Sequence, residues 1–318
     1  MRLTVAICTH NRALVLRETL GHLVKVACPP GCTMELIVVA NACTDTTDSV
    51  LAEFRNRLPL RTVCEAAPGL SHARNHAVRV ATGEYMLWID DDVFVEPDWM
   101  FEYVAAFRQH PAAAFFGGPI EPLFEGTPPR WILESLIEIG STFARRELGD
   151  RPLRLAKHTL PYGANFAVKT AVQKDYSYDP RLGQRPGCLA LGEETDVLFA
   201  MLTGGHTGWW VPRARVRHFI PAYRQSWSHV KSHWRAQGEA MASYVSPGEA
   251  PRFLGRPLWL WRWAIRTELT YRLDRLTGSK SQSIGKLARA RVVWAMLRSV
   301  TRTSPRSDAS AKAAPEAR

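Results

Sequence analysis

The first half of the chain alternates short apolar runs with segments in which apolar residues recur at helical spacing. The apolar runs, which predict strands, are residues 3–8, 35–40, 60–64, 85–89 and 112–116. Three of the helical segments are residues 13–26, 71–81 and 97–110. A fourth helix is predicted to begin at the capping residues 44–48 and to end at residue 54. Strands that alternate with helices predict an α/β fold, in which helices flank a mostly parallel sheet.

The second half of the chain is less regular. Residues 120–160 are rich in proline, glycine and charge, which predicts long loops. The further predicted elements are a short strand at 165–168, a helix at 193–202, a strand-like run at 209–216 interrupted by Pro212, and a helix at 224–242. We divide the chain into an α/β domain (1–250), a helical extension rich in Trp and Arg (251–300) and a disordered tail (301–318).

The positive charge of the chain is concentrated near its C-terminal end. The formal net charge is +11, but residues 251–300 hold 11 Lys and Arg against 2 Asp and Glu, whereas residues 1–250 hold 26 of each sign. A neutral main body argues against a specific nucleic-acid binder. A non-catalytic protein that binds polyanions through the basic extension stays open as an alternative.

The sequence predicts a cytoplasmic protein. No run reaches the roughly 18 apolar residues of a membrane-spanning helix, and the chain enters its first predicted strand at once, without the pattern of a signal peptide. We therefore expect reduced thiols. A structural zinc is not expected, because Cys28 and Cys32 have no second pair at ligand spacing. The six cysteines are Cys8, Cys28, Cys32, Cys43, Cys64 and Cys188.

Polar residues follow the first four predicted strands, where the carboxyl ends of parallel strands form one edge and bind ligands. These polar segments are residues 9–12, 41–45, 68–75 and 90–92. Three adjacent aspartates, Asp90, Asp91 and Asp92, repel one another unless a cation is present. Asp90 and Asp92 share one side of an extended segment, and their oxygens suit Mg²⁺ or Mn²⁺. A solvated cap of the strand is the alternative.

Five ordered segments carry a resemblance: TVAICTHNR, ELIVVANACTDTT, PGLSHARNHA, GEYMLWIDDDV and LGEETDVL. Together they resemble glycosyltransferase family 2, over roughly residues 1–240. The resemblance implies a Rossmann-like GT-A fold and an inverting transferase that uses a nucleotide diphosphate sugar, commonly a UDP-sugar, with a divalent metal, Mn²⁺ or Mg²⁺. The acceptor hydroxyl would belong to a polysaccharide or a lipid-linked glycan. A metal-dependent phosphotransferase or nucleotidyltransferase is the alternative enzyme class, since such enzymes also place aspartates at strand ends.

The resemblance assigns roles to individual residues. The predicted nucleotide contacts are Thr9, Asn11, Arg12, Asn41, Asp45, Arg74, Asp90 and Asp91. The predicted metal ligands are Asp92, Asp90 and His218, for which a polar core histidine is the alternative to a ligand. Ala40 stands where many family members have aspartate, which moves the predicted base contact to Asn41.

An acidic group at the start of the predicted helix 193–202 supplies the candidate general base. Inverting transfer needs a base that removes the acceptor proton. The family pattern places it at Glu194, where aspartate is commoner, with Asp196 as the second choice and Glu193 as the first acid of the pair. Acidic residues at a helix N-terminus are also favoured by the helix dipole alone.

The C-terminal extension predicts a helix over residues 257–276. Its apolar stripe consists of Leu258, Trp261, Ile265, Leu269, Leu273 and Leu276. Tryptophan beside arginine suits an anionic membrane surface, so one prediction is peripheral attachment to the inner face of a membrane. The alternative is a helical hairpin that packs on the catalytic domain and leaves a basic face in solvent.

Overall fold

The computed structural model describes residues 1–187, 189–242, 244–245, 250–277 and 280–300. The contacts group these residues into two compact units. The first unit consists of the described residues of Met1–Glu125, Phe143–Cys188 and Glu193–Ile220. The second consists of the described residues of Gly126–Thr142, Leu189–Gly192 and Pro221–Arg318. The predicted tail at 301–318 and Cys188 lie outside the described residues, and the predicted boundary at residue 250 stays a prediction.

Twelve strands form within the described residues. They are β1 (Arg2–Thr9), β2 (Thr33–Asn41), β3 (Leu60–Glu65), β4 (Tyr85–Trp88), β5 (Val93–Val95), β6 (Phe115–Gly117), β7 (Ile120–Phe124), β8 (Phe166–Lys169), β9 (Gly208–Trp210), β10 (Val216–Ile220), β11 (Arg252–Phe253) and β12 (Arg256–Pro257).

The same residues form eleven α-helices. They are α1 (Ala13–Leu23), α2 (Thr47–Phe54), α3 (Leu70–Val80), α4 (Trp99–Gln109), α5 (Arg130–Glu134), α6 (Leu136–Ile139), α7 (Thr170–Gln173), α8 (Glu193–Thr203), α9 (Trp227–Ala242), α10 (Leu258–Thr277) and α11 (Lys280–Ser299). Short 3-10 helices occur at Gly140–Phe143, Lys157–Thr159 and Ala222–Gln225.

The first unit is built on a seven-stranded, mostly parallel sheet of order β3-β2-β1-β4-β8-β6-β9. Strands β1 to β4 are parallel, and β8 runs antiparallel to both β4 and β6. Side chains of β2 alternate between two cores: Leu36 and Val38 pack on one face, and Ile37 and Val39 on the other. Helices cover both faces, which explains why these strands are continuous apolar runs. The predicted α/β fold with a mostly parallel sheet is confirmed.

A second sheet of order β5-β10-β7 continues from the strand that ends in aspartates. The chain leaves the large sheet after β4, passes Asp90 to Asp92, and enters β5, which pairs antiparallel with β10. In this register His218 lies opposite Val93, and the backbone N–H of Phe219 donates to the Asp92 carbonyl oxygen at 2.8 Å. The small sheet therefore carries His218 to the aspartates.

This second sheet was not predicted from the sequence. The run 209–216 was predicted to be strand-like with an interruption at Pro212, and the structure has β9 and β10 on either side of that proline, in different sheets. Strands β5 and β7 are three and five residues long, too short for a clear alternating pattern. Their pairing with β10 is decided by contacts distant in sequence.

The second unit contains three long helices, and α11 packs against both α9 and α10. Its core includes Leu260 and Ala264 of α10 and Val293 and Leu297 of α11. The predicted helix at 257–276 is present, although a different face of it is buried from the one that the apolar stripe indicated. Within the described part of the chain, no helix is both long and apolar enough to cross a membrane.

Candidate active site

Two of the three aspartates after β4 converge with a histidine. One ligand atom from each of Asp90, Asp92 and His218 lies within 4.8 Å of the others. Asp92 and His218 are buried, and His218 Nε2 lies 3.2 Å from Asp92 Oδ1. The structure thus brings together the three predicted metal ligands.

The cluster has the chemistry of a divalent-cation site. Two carboxylates and an imidazole form a donor set suited to Mn²⁺ or Mg²⁺. His218 is buried, yet its Nδ1 accepts or donates no hydrogen bond among the described residues. The nitrogen that faces the carboxylates is Nε2, 3.2 Å from Asp92 Oδ1, and the three donor groups lie within 4.8 Å of one another, so the residues present fit a cation.

The middle aspartate faces the protein interior. Asp91 is buried and accepts hydrogen bonds from Thr9 Oγ1 at 2.7 Å and from Arg12 Nη1 at 2.6 Å. Burial raises the pKa of Asp91 to about 6, although the charge of Arg12 opposes that rise. Thr9 and Asp91, both predicted nucleotide contacts, therefore lie against each other, an arrangement that favours a structural role.

Arg12 holds the aspartate segment in place. Its second guanidinium nitrogen donates to Asp92 Oδ2 at 2.6 Å, so one arginine bridges Asp91 and Asp92. The bridge compensates charge between adjacent carboxylates that would otherwise repel one another. Arg12 follows β1, and its position at the sheet edge allows it to reach both.

The predicted nucleotide residues of the first two loops bind each other's backbone. Asn11 has a φ of +52°, which asparagine tolerates better than most residues. Its Oδ1 accepts the backbone N–H of Thr44 at 2.7 Å and of Asp45 at 3.2 Å. Asp45 in turn accepts the N–H of Ala13 at 3.0 Å, at the start of α1. These side chains fix the loop geometry beside the sheet edge.

Asn41 fixes the loop between β3 and α3 through hydrogen bonds to the backbone of that loop. Its amide nitrogen donates to the carbonyls of Glu65 and Ala67 at 3.1 and 2.7 Å, and its Oδ1 accepts the N–H of Gly69 at 2.8 Å. It is buried, and its side-chain amide is occupied by these bonds. The predicted base contact therefore binds the turn that leads into α3.

Arg74 is the central cation of the site. It is buried on α3, its guanidinium packed over the rings of Trp88 and Tyr178 at 5.1 and 5.6 Å. Its Nη2 lies 3.4 Å from Asp90 Oδ1, and its Nε lies 3.7 Å from Glu193 Oε1. Arg74 therefore connects the aspartate cluster to the acidic start of α8.

The two glutamates of α8 have different surroundings. Glu193 is buried, and burial together with the charge of Glu194 raises the pKa of Glu193 from 4.5 to about 8, in spite of Arg74. Glu194 is partly exposed, and its Oε1 accepts the backbone N–H of Gly163 at 3.3 Å. Asp196 lies one helical turn beyond Glu193, and its charge acts on Arg181. Arg74 lies beside Glu193, and Gly163 contacts Glu194.

The loop before β8 links these groups. The Gly163 carbonyl accepts a hydrogen bond from Arg74 Nη2 at 3.5 Å, while its N–H contacts Glu194. Two residues later, Asn165 is fully buried, accepts hydrogen bonds from Trp99 and Tyr103, and donates to two backbone carbonyls. The segment 163–166 resembles the family's segment near the acceptor, with a plain turn as the alternative, whereas Tyr178 was not predicted as a support of the site. A phenol in an irregular segment gives no periodic signal by which to find it.

The fold defines the class of protein. The chain is similar to the mannosyltransferase PcManGT from Pyrobaculum calidifontis, solved in complex with GDP-Man and Mn²⁺. The TM-score is 0.56 at 19% identity, over 94% of this chain and 86% of that one. With its parallel sheet, aspartates after the fourth strand and acidic helix start, the chain has the GT-A fold of glycosyltransferases.

The sequence comparisons define the family. The model described as Glycosyl transferase family 2 matches residues 4–169, more than half of the chain. The protein belongs to glycosyl transferase family 2, as the resemblance of its five segments predicted.

Two relatives cover most of the chain. Glucosyl-dolichyl phosphate glucuronosyltransferase of Haloferax volcanii is 24% identical over 263 residues, 78% of this chain and 79% of the relative. Succinoglycan biosynthesis protein ExoM of Rhizobium meliloti is 26% identical over 238 residues, 71% of this chain and 69% of the relative. Glycosyltransfer, rather than the alternative phosphotransfer or nucleotidyl transfer, is the supported chemistry.

Proposed function

We propose that the protein is an inverting, metal-dependent glycosyltransferase that moves a sugar from a nucleotide diphosphate donor to an acceptor hydroxyl. One observation carries the proposal: Arg74 and Gly163 connect the cluster of Asp90, Asp92 and His218 to Glu194. A donor-binding centre and a candidate base thus belong to one connected group of side chains.

Asp90, Asp92 and His218 would hold Mn²⁺ or Mg²⁺. When bound, the cation supplies positive charge that stabilises the diphosphate leaving group. Arg12 keeps the aspartates in position, and Arg74 adds a fixed buried charge on the side of Asp90. Both arginines limit the repulsion between carboxylates and diphosphate before the transfer.

Glu194 is the proposed general base. Its carboxylate takes the proton from the acceptor hydroxyl, the oxygen attacks the anomeric carbon, and the nucleotide diphosphate leaves from the opposite side. Glu193 suits this role less well, because a carboxyl with a pKa of about 8 is largely protonated at neutral pH. Asp196, one helical turn beyond Glu193 on α8, stays the second candidate for the base.

The donor nucleotide is proposed to lie over the loops that contain Thr9, Asn11, Arg12, Asn41 and Asp45. Hydrogen bonds among these loops hold this edge of the sheet in one conformation. A preformed binding surface reduces the entropy cost of binding the nucleotide. The similar mannosyltransferase was solved with GDP-Man, whereas the family resemblance implies a UDP-sugar. Both nucleotides therefore belong in the assay below.

The acceptor is proposed to be a glycan hydroxyl, free or lipid-linked. This class follows from the names of the two relatives, one of which acts on glucosyl-dolichyl phosphate while the other serves succinoglycan biosynthesis.

The test is nucleotide release from UDP-, GDP- and dTDP-sugars with Mn²⁺, with Mg²⁺ and with a chelator. Wild type is compared with Asp92→Asn and Glu194→Gln. We expect turnover with one nucleotide class, lost on chelation and in Asp92→Asn. In Glu194→Gln, transfer falls by about 10²–10⁴-fold, the usual contribution of a general base, while donor binding is kept.

The matched control is Asp98→Asn, which removes an exposed carboxylate outside the connected group. This variant should retain transfer within a small factor. Full activity of Asp92→Asn with metal, or of Glu194→Gln, would contradict the assigned roles. Absence of release from every donor tested would contradict the function itself.

A further inference from the structure

Helix α10 carries apolar side chains on two opposite faces. The inner face, which includes Leu260 and Ala264, is buried in the core of the second unit. The outer row consists of Ile265, Leu269, Leu273 and Leu276, whose exposed fractions are 49%, 54%, 63% and 83%. Steps of four, four and three residues align these side chains along the helix. The packing of α10 on α11 therefore does not need the outer row.

Positive charge accompanies the outer row. Arg262 and Arg266 are exposed on the same half of the helix, and neither pairs with a carboxylate among the described residues. The two acidic residues of α10 are paired with cations of α10 and α11: Glu268 with Arg272 and Arg291, and Asp274 with Lys286. The outer face consequently presents aliphatic groups and cations.

The hairpin that precedes α10 has an unusual tip. Leu254 and Gly255 form a two-residue turn between β11 and β12, with φ values of +49° and +76°. Asparagine, aspartate or glycine normally occupies such positions, because a side chain like that of leucine is strained there. Phe253 and Leu254 are 54% and 64% exposed, so this strained leucine gains little burial within the chain.

We propose that the outer row, Arg262, Arg266 and the hairpin tip dock onto the surface of a bilayer that contains anionic lipid. A helix with aliphatic groups and arginines lies in the plane of the interface, with its apolar row among the acyl chains. The arginine stems reach outward so that the guanidinium groups meet lipid headgroups. The 11 basic against 2 acidic residues of 251–300 give the required charge complementarity. Nucleic acid would satisfy the cations but leave the leucines in water.

The inference is tested by flotation of the full-length protein with vesicles of phosphatidylcholine, alone or with about 40% phosphatidylglycerol, over a range of salt. Wild type should float with the anionic vesicles at low salt and bind the neutral ones far less. Leu269→Gln with Leu273→Gln should reduce the partition coefficient at least about tenfold. Arg262→Gln with Arg266→Gln should reduce it by about tenfold or more and flatten its salt dependence.

The matched controls are Leu14→Gln and Arg55→Gln, which change exposed residues of the first unit and should leave binding unaltered. All variants should keep the wild-type melting temperature and nucleotide release. Failure of the wild type to float overturns the inference, and so do outer-row variants that float normally. Light scattering adds a further check: a wild-type dimer lost in the leucine variant, with flotation unchanged, would identify the row as a self-association surface and overturn membrane docking. Flotation needs no sugar donor, so its result is separate from that of the transferase assay.

Discussion

At the scale of single residues, burial gives the neighbouring glutamates of α8 different chemistry. Glu193 lies beside Arg74 in a closed environment, whereas Glu194 is partly exposed next to Gly163. Burial and the charge of Glu194 raise the pKa of Glu193 to about 8. Two adjacent carboxyls with different environments can take different roles.

The raised pKa predicts a pH-dependent stability. Between its unfolded pKa of 4.5 and its folded pKa of about 8, Glu193 binds more protons in the native state, so the free energy of unfolding falls as pH rises through this interval. In Glu193→Gln this contribution is absent. Urea midpoints are measured at about pH 5, 6, 7 and 8. As the pH rises, the midpoint of the wild type should fall relative to that of Glu193→Gln.

Glu18→Gln is the control, because Glu18 is exposed on α1. The difference in urea midpoint between Glu18→Gln and the wild type should stay constant across the four pH values. A constant difference for Glu193→Gln as well would show that Glu193 ionises normally in the folded protein.

Sequence reasoning finds charged site residues better than their supports. Asp90 and Asp92 were predicted as metal ligands from their alternation after an apolar strand, and the structure places His218 beside them. Asp91, in the same triplet, points inward to Thr9 and Arg12. Such inward bonds depend on packing around β1 and β4, which no local pattern reports.

At the scale of elements, the loop before β8 contacts both Arg74 of α3 and Glu194 of α8 through Gly163. A Cβ on Gly163 would lie 2.6 Å from Arg74 Nη2 and 3.5 Å from the Glu194 carboxyl carbon. The guanidinium is buried between aromatic rings, so it has little room to move. Glycine at this position lets the loop backbone touch both groups.

Gly163→Ala should therefore lower transfer by about 10- to 100-fold through misplacement of Arg74 and Glu194, with a much smaller effect on the melting temperature. Steady-state transfer and thermal unfolding measure the two effects. Gly21→Ala is the control: no atom lies within 4 Å of its added Cβ, and alanine in α1 should stabilise by up to about 1 kcal/mol. Normal transfer by Gly163→Ala would show that the contacts of Gly163 with Arg74 and Glu194 do not position the proposed base, Glu194.

The long elements of the large sheet were predictable, whereas the short strands β5 and β7 of the small sheet were not. Strands β1 and β2 are buried on both faces and read as apolar runs, so their positions were predicted within two residues. Strand β5 has three residues and gains its hydrogen bonds from β10, far along the chain. Local sequence carries no information on that partner.

At the scale of the whole molecule, the contacts of the described residues separate into two units. Helices α9 and α11 of the second unit approach closely at Gly238. An added Cβ would lie 2.6 Å from Ala295 Cβ and 2.9 Å from the Met296 backbone nitrogen, and would also meet the Val292 carbonyl. Backbone atoms cannot move aside as the end of a side chain can.

Gly238→Ala should destabilise the second unit by about 1–3 kcal/mol, the usual cost of overpacking. Hydrogen exchange is expected to accelerate in α9, α10 and α11, while β1, β2 and β4 keep their protection. Ser232→Ala, at an exposed position of α9, should leave both regions unchanged. Equal acceleration in the strands would mean that the two units unfold as one.

The buried face of α10 illustrates the limit of sequence patterns at this scale. The helix and its leucine spacing were predicted, but packing on α11 buries Leu260 and Ala264 in the core and leaves the leucine row exposed. A helix with apolar residues on two sides offers two candidate interfaces. Only the packing partners decide between them.

The register of β5 with β10 has a consequence for protein synthesis. Asp90 and Asp92 leave the ribosome long before His218, and the third ligand arrives only when β10 closes against β5. A nascent chain thus carries two carboxylates without their imidazole partner. Unfinished copies hold an incomplete version of the proposed cation centre, and the proposed sugar donor can meet a complete one only after residue 218 has been made.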